Sequence, residues 1–182
     1  MAWYLLLIAL VAGERLLELV VSRRNLAWSL ARGGSEHGRG HYPFMVVLHT
    51  ALLVGAVAEV AVADRPFLPW LGWPMLALVV AAQALRWWCI RTLGPRWNTR
   101  IVVVPGLPLV RRGPYRLLDH PNYVAVVVEG IALPLVHTAW VTALVFTVLN
   151  LPLLRVRVRA EEAAMAAAVA APAARSSTQP SA

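Results

Sequence analysis

Four consecutive residues, His120, Pro121, Asn122 and Tyr123, have the composition of a ligand site at the start of a helix. Proline is well tolerated in a first helical turn, because the N–H that it lacks would have no partner there. The unpaired N–H groups of that turn attract anionic groups such as a carboxylate. His120, just outside the turn, offers a donor and an acceptor nitrogen. The motif predicts a polar-ligand site, with helix capping by His120 and interfacial anchoring by Tyr123 as the alternative.

A second polar cluster, made of Arg157, Arg159, Glu161 and Glu162, follows the last apolar stretch. On a helix, Arg157 and Glu161 lie four residues apart and are neighbours. An arginine can bind a carboxylate through two hydrogen bonds, and a glutamate can bind an amine or ribose hydroxyls. The alternative, a basic flank followed by a solvated helix, explains the arginines better than the glutamates. Residues 123–154 form an apolar out-and-back path, so we expect His120 and Glu162 to meet at one cofactor.

Glu129 lies inside an apolar run, between Val128 and Ile131 and their apolar neighbours. A carboxylate within a membrane segment is costly, and it is a functional hypothesis by default. Glu129 follows Asn122 by seven residues, or two turns, and therefore shares its helix face. The sequence predicts a catalytic carboxylate here, with a structural ion pair to an arginine of another span as the alternative.

The other polar residues suggest weaker hypotheses. Glu14, Arg15 and Glu18 could form an internal ion pair, and with Glu59 they leave open a small proton-coupled exporter. Residues 36–41 contain one His-x-x-x-His spacing, but membrane di-iron enzymes need several such boxes, so we predict no metal. Cys89 lies in an apolar run and is interpreted as a small buried hydrophobe.

Composition places these residues in a membrane protein. Hydrophobic residues make up 59% of the 182 residues and charged residues only 14%, gathered between long apolar runs. All 17 basic residues are arginine, and they flank the apolar runs as the positive-inside rule predicts for cytoplasmic loops. A nucleic-acid partner is therefore not expected, despite the formal charge of +8.

The apolar runs predict membrane spans at about residues 2–21, 43–62 and 70–90. The stretch 123–154 is interrupted near Pro134, His137 and Thr138, and predicts a hairpin of two short spans. Five spans with the N-terminus outside place all three arginine-rich segments, 22–42, 92–121 and the one after the last span, in the cytoplasm.

We thus predict an all-α integral membrane protein of about five transmembrane helices. An ordered, arginine-rich cytoplasmic loop over residues 92–123 and a C-terminal cytoplasmic helix complete a single domain, residues 1–171. Residues 172–182 lack any apolar pattern and are expected to be a disordered tail.

Taken together, these residues resemble the isoprenylcysteine carboxyl methyltransferase family. The matching segments are Leu93-Gly94-Pro95-Arg96-Trp97, Gly113-Pro114-Tyr115-Arg116, His120-Pro121-Asn122-Tyr123 and Arg157-Val158-Arg159-Ala160-Glu161-Glu162. Their order and spacing are similar to the C-terminal half of the family, here about residues 85–165. The first eighty residues look closest to small bacterial members, some associated with type III polyketide synthases. Asp119 and Ala125 stand where the family usually has arginine and glycine.

The resemblance implies an S-adenosylmethionine-dependent O-methyltransferase of a bacterial inner membrane. It places the cofactor against residues 120–123 with Arg157, Glu161 and Glu162, and implies a lipid-like or lipidated acceptor that enters from the bilayer. If the acceptor is a carboxylate, Arg116 would position it; if it is an enol or phenol, Glu129 or His120 could take the proton.

The alternative enzyme is an NADPH-dependent membrane reductase of the related motif class. Such a reductase would usually carry glutamate where this chain has Val126. The sequence leaves the acceptor and the oligomeric state open.

Overall fold

The computed structural model describes residues 1–170, so the predicted tail over residues 172–182 lies outside the described residues. Three single-turn 3₁₀ helices lie in the connections, at Arg39–His41, Gly94–Arg96 and Gly113–Arg116. The α-helices and strands are α1 (Ala2–Leu30), β1 (Ser35–His37), α2 (Tyr42–Val62), α3 (Pro69–Leu93), β2 (Ile101–Val103), α4 (Pro121–Leu135) and α5 (Trp140–Ala170).

Within residues 1–170, the three helices α2, α3 and α5 are long and apolar enough to cross a membrane. Helix α4 is apolar but has 15 residues, about 22 Å at 1.5 Å per residue against about 30 Å of hydrocarbon. Helix α1 has 29 residues but carries Glu14, Arg15 and Glu18 within its apolar half. The chain is thus an integral membrane protein, and spans formed by α1 and α4 stay predictions.

Proline residues mark several helix boundaries, although Pro74 and Pro152 lie inside α3 and α5. Pro43, Pro69 and Pro121 occupy the first or second position of α2, α3 and α4, where a missing N–H leaves no gap. Pro134 lies at the end of α4, and α5 begins five residues after α4 ends. The hydroxyl of Tyr4 donates to the carbonyl of Leu133 at 3.1 Å, which satisfies an acceptor near this break. The predicted interruption near Pro134 is therefore confirmed.

Three features differ from the sequence predictions. Helix α1 continues to Leu30, through what was expected to be a loop, because the first glycine after this stretch is Gly33. Residues 155–170 continue α5 instead of forming a separate helix, since their alanine-rich sequence contains no helix breaker. The chain is also not wholly α: β1 and β2 pair antiparallel, with Glu36 opposite Val102. The β-branched residues of β2 favour this extended backbone.

Two arginines and two glutamates form a closed ring of ion pairs between α1, α3 and α4. Arg15 lies 3.1 Å from Glu18 and 3.8 Å from Glu129. Arg86 lies 3.7 Å from Glu18 and 2.6 Å from Glu129. Because the Glu18, Arg86 and Glu129 side chains are at most 7% exposed, each charge depends on its neighbours for compensation. We call these four residues the charge ring.

Helix α1 carries one more glutamate beside the charge ring. Glu14 accepts a hydrogen bond from the Trp87 indole N–H at 2.9 Å and another from the Gln83 amide. Gln83 in turn accepts from Arg15 at 3.0 Å. The polar side chains of α1 therefore form hydrogen bonds with side chains of α3, as expected for polar groups that face the interior of a helix bundle.

Glu59 of α2 caps the start of α5 at the opposite end of the molecule from the motif residues. Its carboxylate accepts from the backbone N–H of Val141 at 3.1 Å and that of Thr142 at 2.7 Å. It also pairs with Arg65 at 2.9 Å. The first N–H groups of a helix lack intrahelical partners, and a negative charge is favoured at that end. Glu59 thus joins α2 to α5.

Replacing Glu59 by alanine is expected to lower the free energy of unfolding by about 1–2 kcal/mol, because two helix-start N–H groups lose their acceptor. The measurement is unfolding in mixed micelles titrated with a denaturing detergent. Arg65→Ala is the matched control, because it removes only the partly exposed ion pair and should cost under about 1 kcal/mol. Equal losses in both variants would contradict the capping role.

Candidate functional site

A cavity of about 640 Å³ lies where α3 ends and α4 begins. Its walls come from the end of α3, the loop between α3 and α4, the first turn of α4 and the C-terminal half of α5. The cavity brings together seven of the nine residues predicted from the sequence. They are Arg116, His120, Asn122, Tyr123, Arg157, Glu161 and Glu162.

One wall of the cavity joins the start of α4 to α5. The His120 ring nitrogen Nε2 lies 3.4 Å from Glu162 Oε1, and Nδ1 lies 3.8 Å from Glu161 Oε2. The ring stacks on Tyr123, with centroids 5.3 Å apart. His120 holds the N-cap position, but its side chain makes no capping hydrogen bond. His120 and Glu162 are thus in contact, and their meeting at one cofactor stays a prediction.

Arg157 is the buried centre of the site. It is 5% exposed and donates from Nε to the Tyr123 hydroxyl at 2.9 Å. That hydroxyl donates in turn to the Glu161 carboxylate. Arg157 also donates from Nη2 to the Thr99 carbonyl at 2.7 Å. The predicted neighbours Arg157 and Glu161 are therefore connected through Tyr123, and the same arginine fixes the loop after α3.

Helix α1 holds this loop from the other side. The Ser22 hydroxyl accepts from the Thr99 backbone N–H at 3.0 Å and lies 2.9 Å from the Thr99 hydroxyl. Asn25 donates to the carbonyls of Gly94 at 3.1 Å and Trp97 at 2.7 Å. The sequence analysis assigned no role to Ser22, Asn25 or Thr99. The available signal was the three-residue spacing of Ser22 and Asn25, which places both on one helix face.

Arg100 lines the cavity and is held from behind by β1. Its Nη1 donates to both oxygens of Glu36, at 3.0 and 3.2 Å. Arg39 also pairs with Glu36 at 3.3 Å. The Glu36 carboxylate thus forms ion pairs with two guanidinium groups. Within residues 1–170, no group of three side chains is placed to hold a metal ion.

The 3₁₀ helix Gly113–Arg116 carries Tyr115 and Arg116 to the cavity. Gly113 has φ +55°, and a Cβ there would meet the Thr92 hydroxyl oxygen at 2.6 Å, so this turn packs on α3 through a residue without a side chain. Burial, and next the neighbouring Cys89, raise the pKa of the Tyr115 phenol. Tyr115 therefore stays protonated at neutral pH. Cys89 is fully buried, as predicted.

Two predicted site residues do not line the cavity. Pro121 is buried in the first turn of α4, where it shapes the backbone. Glu129 lies six residues after Tyr123, about 9 Å further along the helix, and belongs to the charge ring. Glu129 therefore forms the ion pair with an arginine of another helix that was considered as the alternative to a catalytic role.

Comparison with known proteins bears on the same residues. The profile of the isoprenylcysteine carboxyl methyltransferase (ICMT) family matches residues 75–167. The chain is 39% identical to the uncharacterized protein YpbQ of Bacillus subtilis (strain 168), over 88% of this chain and 95% of the relative. It is 28% identical to an uncharacterized protein of Haemophilus influenzae, over 86% of this chain and 91% of that relative. No solved structure matches the chain.

Proposed function

The chain belongs to the isoprenylcysteine carboxyl methyltransferase family, and we propose that it uses S-adenosylmethionine to methylate an oxygen of a lipid-like acceptor. The observation that carries the proposal is the convergence of His120, Tyr123, Arg157, Glu161 and Glu162 on one cavity. These residues come from two helices, α4 and α5, whose polar ends meet at the membrane face.

The chemistry of the cavity fits the parts of S-adenosylmethionine. Glu161 and Glu162 offer carboxylate oxygens for an ammonium group and ribose hydroxyls. At the start of α4, Pro121 has no N–H and the N–H groups of Tyr123 and Val124 donate to the His120 carbonyl, so the Asn122 N–H and the positive end of the helix dipole are what suit a carboxylate. Leu93, Ile101 and Met165 add apolar surface for an adenine ring. A volume of about 640 Å³ lies in the range of small-molecule sites, roughly 300–1,000 Å³.

In the proposed reaction, the main task of the protein is to align the reacting groups, and proton transfer is secondary. The bound cofactor supplies a methyl group on a sulfonium. The chain must hold the acceptor oxygen in line with that methyl group and keep water away. Arg116, which lines the cavity, would orient a carboxylate acceptor, and no base is then needed. For an enol or phenol, we assign proton acceptance to His120, because Glu129 lies outside the cavity lining.

The direct test is calorimetric titration of the purified protein with S-adenosylmethionine in detergent or nanodiscs. We expect saturable binding at one site per chain. NADPH titrated in the same way serves as the comparison for a reductase. Saturable binding of NADPH together with no binding of S-adenosylmethionine would overturn the proposal.

Replacing His120 or Glu162 by alanine should weaken S-adenosylmethionine binding by about ten- to a hundredfold in each case. A hydrogen bond to a charged group contributes about 1.5–3 kcal/mol, which corresponds to that range of affinity. Calorimetry gives the dissociation constants, and a thermal melt checks folding. Arg159→Ala is the control, because Arg159 is exposed on the same helix. Glu36→Ala is a poor control, since Glu36 holds Arg100 at the cavity. Unchanged affinity in both test variants would sink the site assignment.

We place the cavity on the cytoplasmic side of the membrane. The connection at residues 63–68 carries one arginine, whereas the opposite end carries the arginines around the cavity. The Thr138 hydroxyl donates to the Pro66 carbonyl at 2.8 Å, so the α2–α3 and α4–α5 connections share one end. The positive-inside rule assigns the arginine-rich end to the cytoplasm.

A reporter fused after residue 182 is therefore expected to be active only in the cytoplasm. Paired fusions of alkaline phosphatase and green fluorescent protein give the readout, because the first is active only outside and the second fluoresces only inside. Fusions placed after Asp64 should show the opposite pattern. A phosphatase signal from the C-terminal fusion would overturn the proposed orientation.

A further inference from the structure

The loop between α3 and α4 presents four leucines to the surroundings. Their exposed fractions are 38% for Leu107, 55% for Leu109, 77% for Leu117 and 43% for Leu118. None of them lies in a membrane-spanning helix. Apolar side chains gathered on one exposed segment mark an interaction surface more often than a solvated loop. We call residues 107–118 the docking loop.

Three arginines, Arg111, Arg112 and Arg116, lie between the two pairs of leucines. Arg112 reaches the Thr92 carbonyl only at 3.4 Å, and within residues 1–170 neither Arg111 nor Arg116 has a protein acceptor for its guanidinium group. Arg96, in contrast, donates to the Pro108 carbonyl at 2.6 Å. The docking loop thus combines exposed leucines with positive charges that nearby protein groups leave available.

The docking loop packs against the end of α3 and leads into α4. Its 3₁₀ turn packs on α3, where a Cβ on Gly113 would meet Thr92 and Trp88. Trp88 is 50% exposed and lies about one turn from the end of α3, a position typical of interfacial tryptophan. The loop also leads within three residues into α4. The second half of the docking loop is therefore fixed beside apolar helices, and its first half is held to the end of α3 by the Arg96 bond to the Pro108 carbonyl.

We infer that the docking loop lies in the membrane interface and that its partner is the headgroup of an anionic phospholipid. Leucines inserted at the boundary of the acyl chains and arginines paired with headgroups are the two contributions that hold interfacial segments. A net negative headgroup distinguishes this partner from a zwitterionic one, because each arginine near an anionic surface favours binding by about fivefold.

The docking loop is also one wall of the cavity. Leu109, Arg111, Tyr115 and Arg116 all line it. A docked loop therefore sets the cavity entrance beside the headgroups, where an amphiphile can reach it without leaving the bilayer. The inference concerns a surface and not the cofactor, so it stands or falls separately from the proposed methyl transfer.

Spin labelling in nanodiscs tests the inference directly. Cys89 is the only cysteine in the sequence and is fully buried, so Leu109→Cys can be labelled selectively. Ala167→Cys, an exposed position near the end of α5, gives the water-exposed reference. Electron paramagnetic resonance compares label accessibility to oxygen, which enriches in lipid, and to a water-soluble nickel chelate. The discs contain phosphatidylcholine alone or with about one third phosphatidylglycerol.

We expect the Leu109→Cys label to favour oxygen over the nickel chelate, and more strongly with phosphatidylglycerol present. Adding Arg111→Gln and Arg112→Gln should weaken the dependence on phosphatidylglycerol, with Arg116 as the arginine that remains. If the label is as accessible to the nickel chelate as the Ala167→Cys label, the docking itself is refuted. A label equally embedded in both lipids, with or without the arginines, would refute the anionic partner.

Discussion

Replacing Arg157 by methionine is expected to weaken S-adenosylmethionine binding by a hundredfold or more, the largest effect of any single change at the cavity. Arg157 donates to the Tyr123 hydroxyl and to the Thr99 carbonyl, and it is almost fully buried. Charge-assisted bonds of this kind contribute about 1.5–3 kcal/mol each, and two are lost together. Without them, α5 loses its bond to the loop after α3 and one of its bonds to the start of α4.

Calorimetry on the folded variant is the measurement, with Arg159→Met as the matched control. Arg159 lies two residues further on the same helix and is exposed, so its replacement removes an equal charge without removing a buried contact. We expect the control to bind within about threefold of the unmodified protein, since exposed ion pairs contribute at most about 1 kcal/mol. Equal affinities in the two variants would show that Arg157 does not organise the site.

Replacing Arg86 by leucine is expected to lower the free energy of unfolding by about 3–5 kcal/mol. The change leaves Glu129 buried without its partner at 2.6 Å, and an uncompensated buried charge is strongly destabilising. The double variant Arg86→Leu with Glu129→Leu removes both charges of the pair, so it should be more stable than Arg86→Leu alone. Unfolding in mixed micelles measures both.

A further variant, Glu129→Gln, separates the two interpretations of Glu129. If Glu129 is a member of the charge ring, Glu129→Gln lowers stability, while the folded fraction still binds S-adenosylmethionine normally. If it is a catalytic base, Glu129→Gln abolishes turnover at unchanged stability. If Arg86 and Glu129 interact directly, the loss in free energy of unfolding for the double variant is smaller than the sum of the losses for Arg86→Leu and Glu129→Leu. Losses that simply add would contradict a direct interaction between the two residues.

Much of the helical layout could be predicted, because it depends on local signals. Apolar runs predicted a helix at residues 43–62 that the structure gives as Tyr42–Val62. The end of α1 was placed too early, because Arg23 and Arg24 were interpreted as loop charges although arginine is a good helix former. The pairing of β1 with β2 joins segments more than sixty residues apart, and no local pattern predicts such a pairing.

At the candidate site, too, features with a local sequence signal could be predicted and long-range contacts could not. Hydropathy predicts that the ends of the 123–154 hairpin meet, so the contact of His120 with Glu162 followed from the sequence. The partner of Glu129 did not, because several arginines could have reached it and only the packing of α3 against α4 selects Arg86. Ser22 and Asn25 were assigned no role because their partners are mostly backbone groups of the loop, which carry no sequence signature.

The charge ring also bears on the order in which the chain enters the membrane during synthesis. Helix α1 leaves the ribosome first, with Arg15 and Glu18, long before Arg86 and Glu129 exist. Arg15 and Glu18 can pair with each other within α1, but Glu14 has its partners on α3. Each charge left without a partner disfavours insertion of an isolated helix by about 2.5–3.5 kcal/mol. We therefore expect α1 to wait at the insertion machinery until α3 and α4 arrive, and nascent chains that end before α3 to leave α1 incompletely inserted.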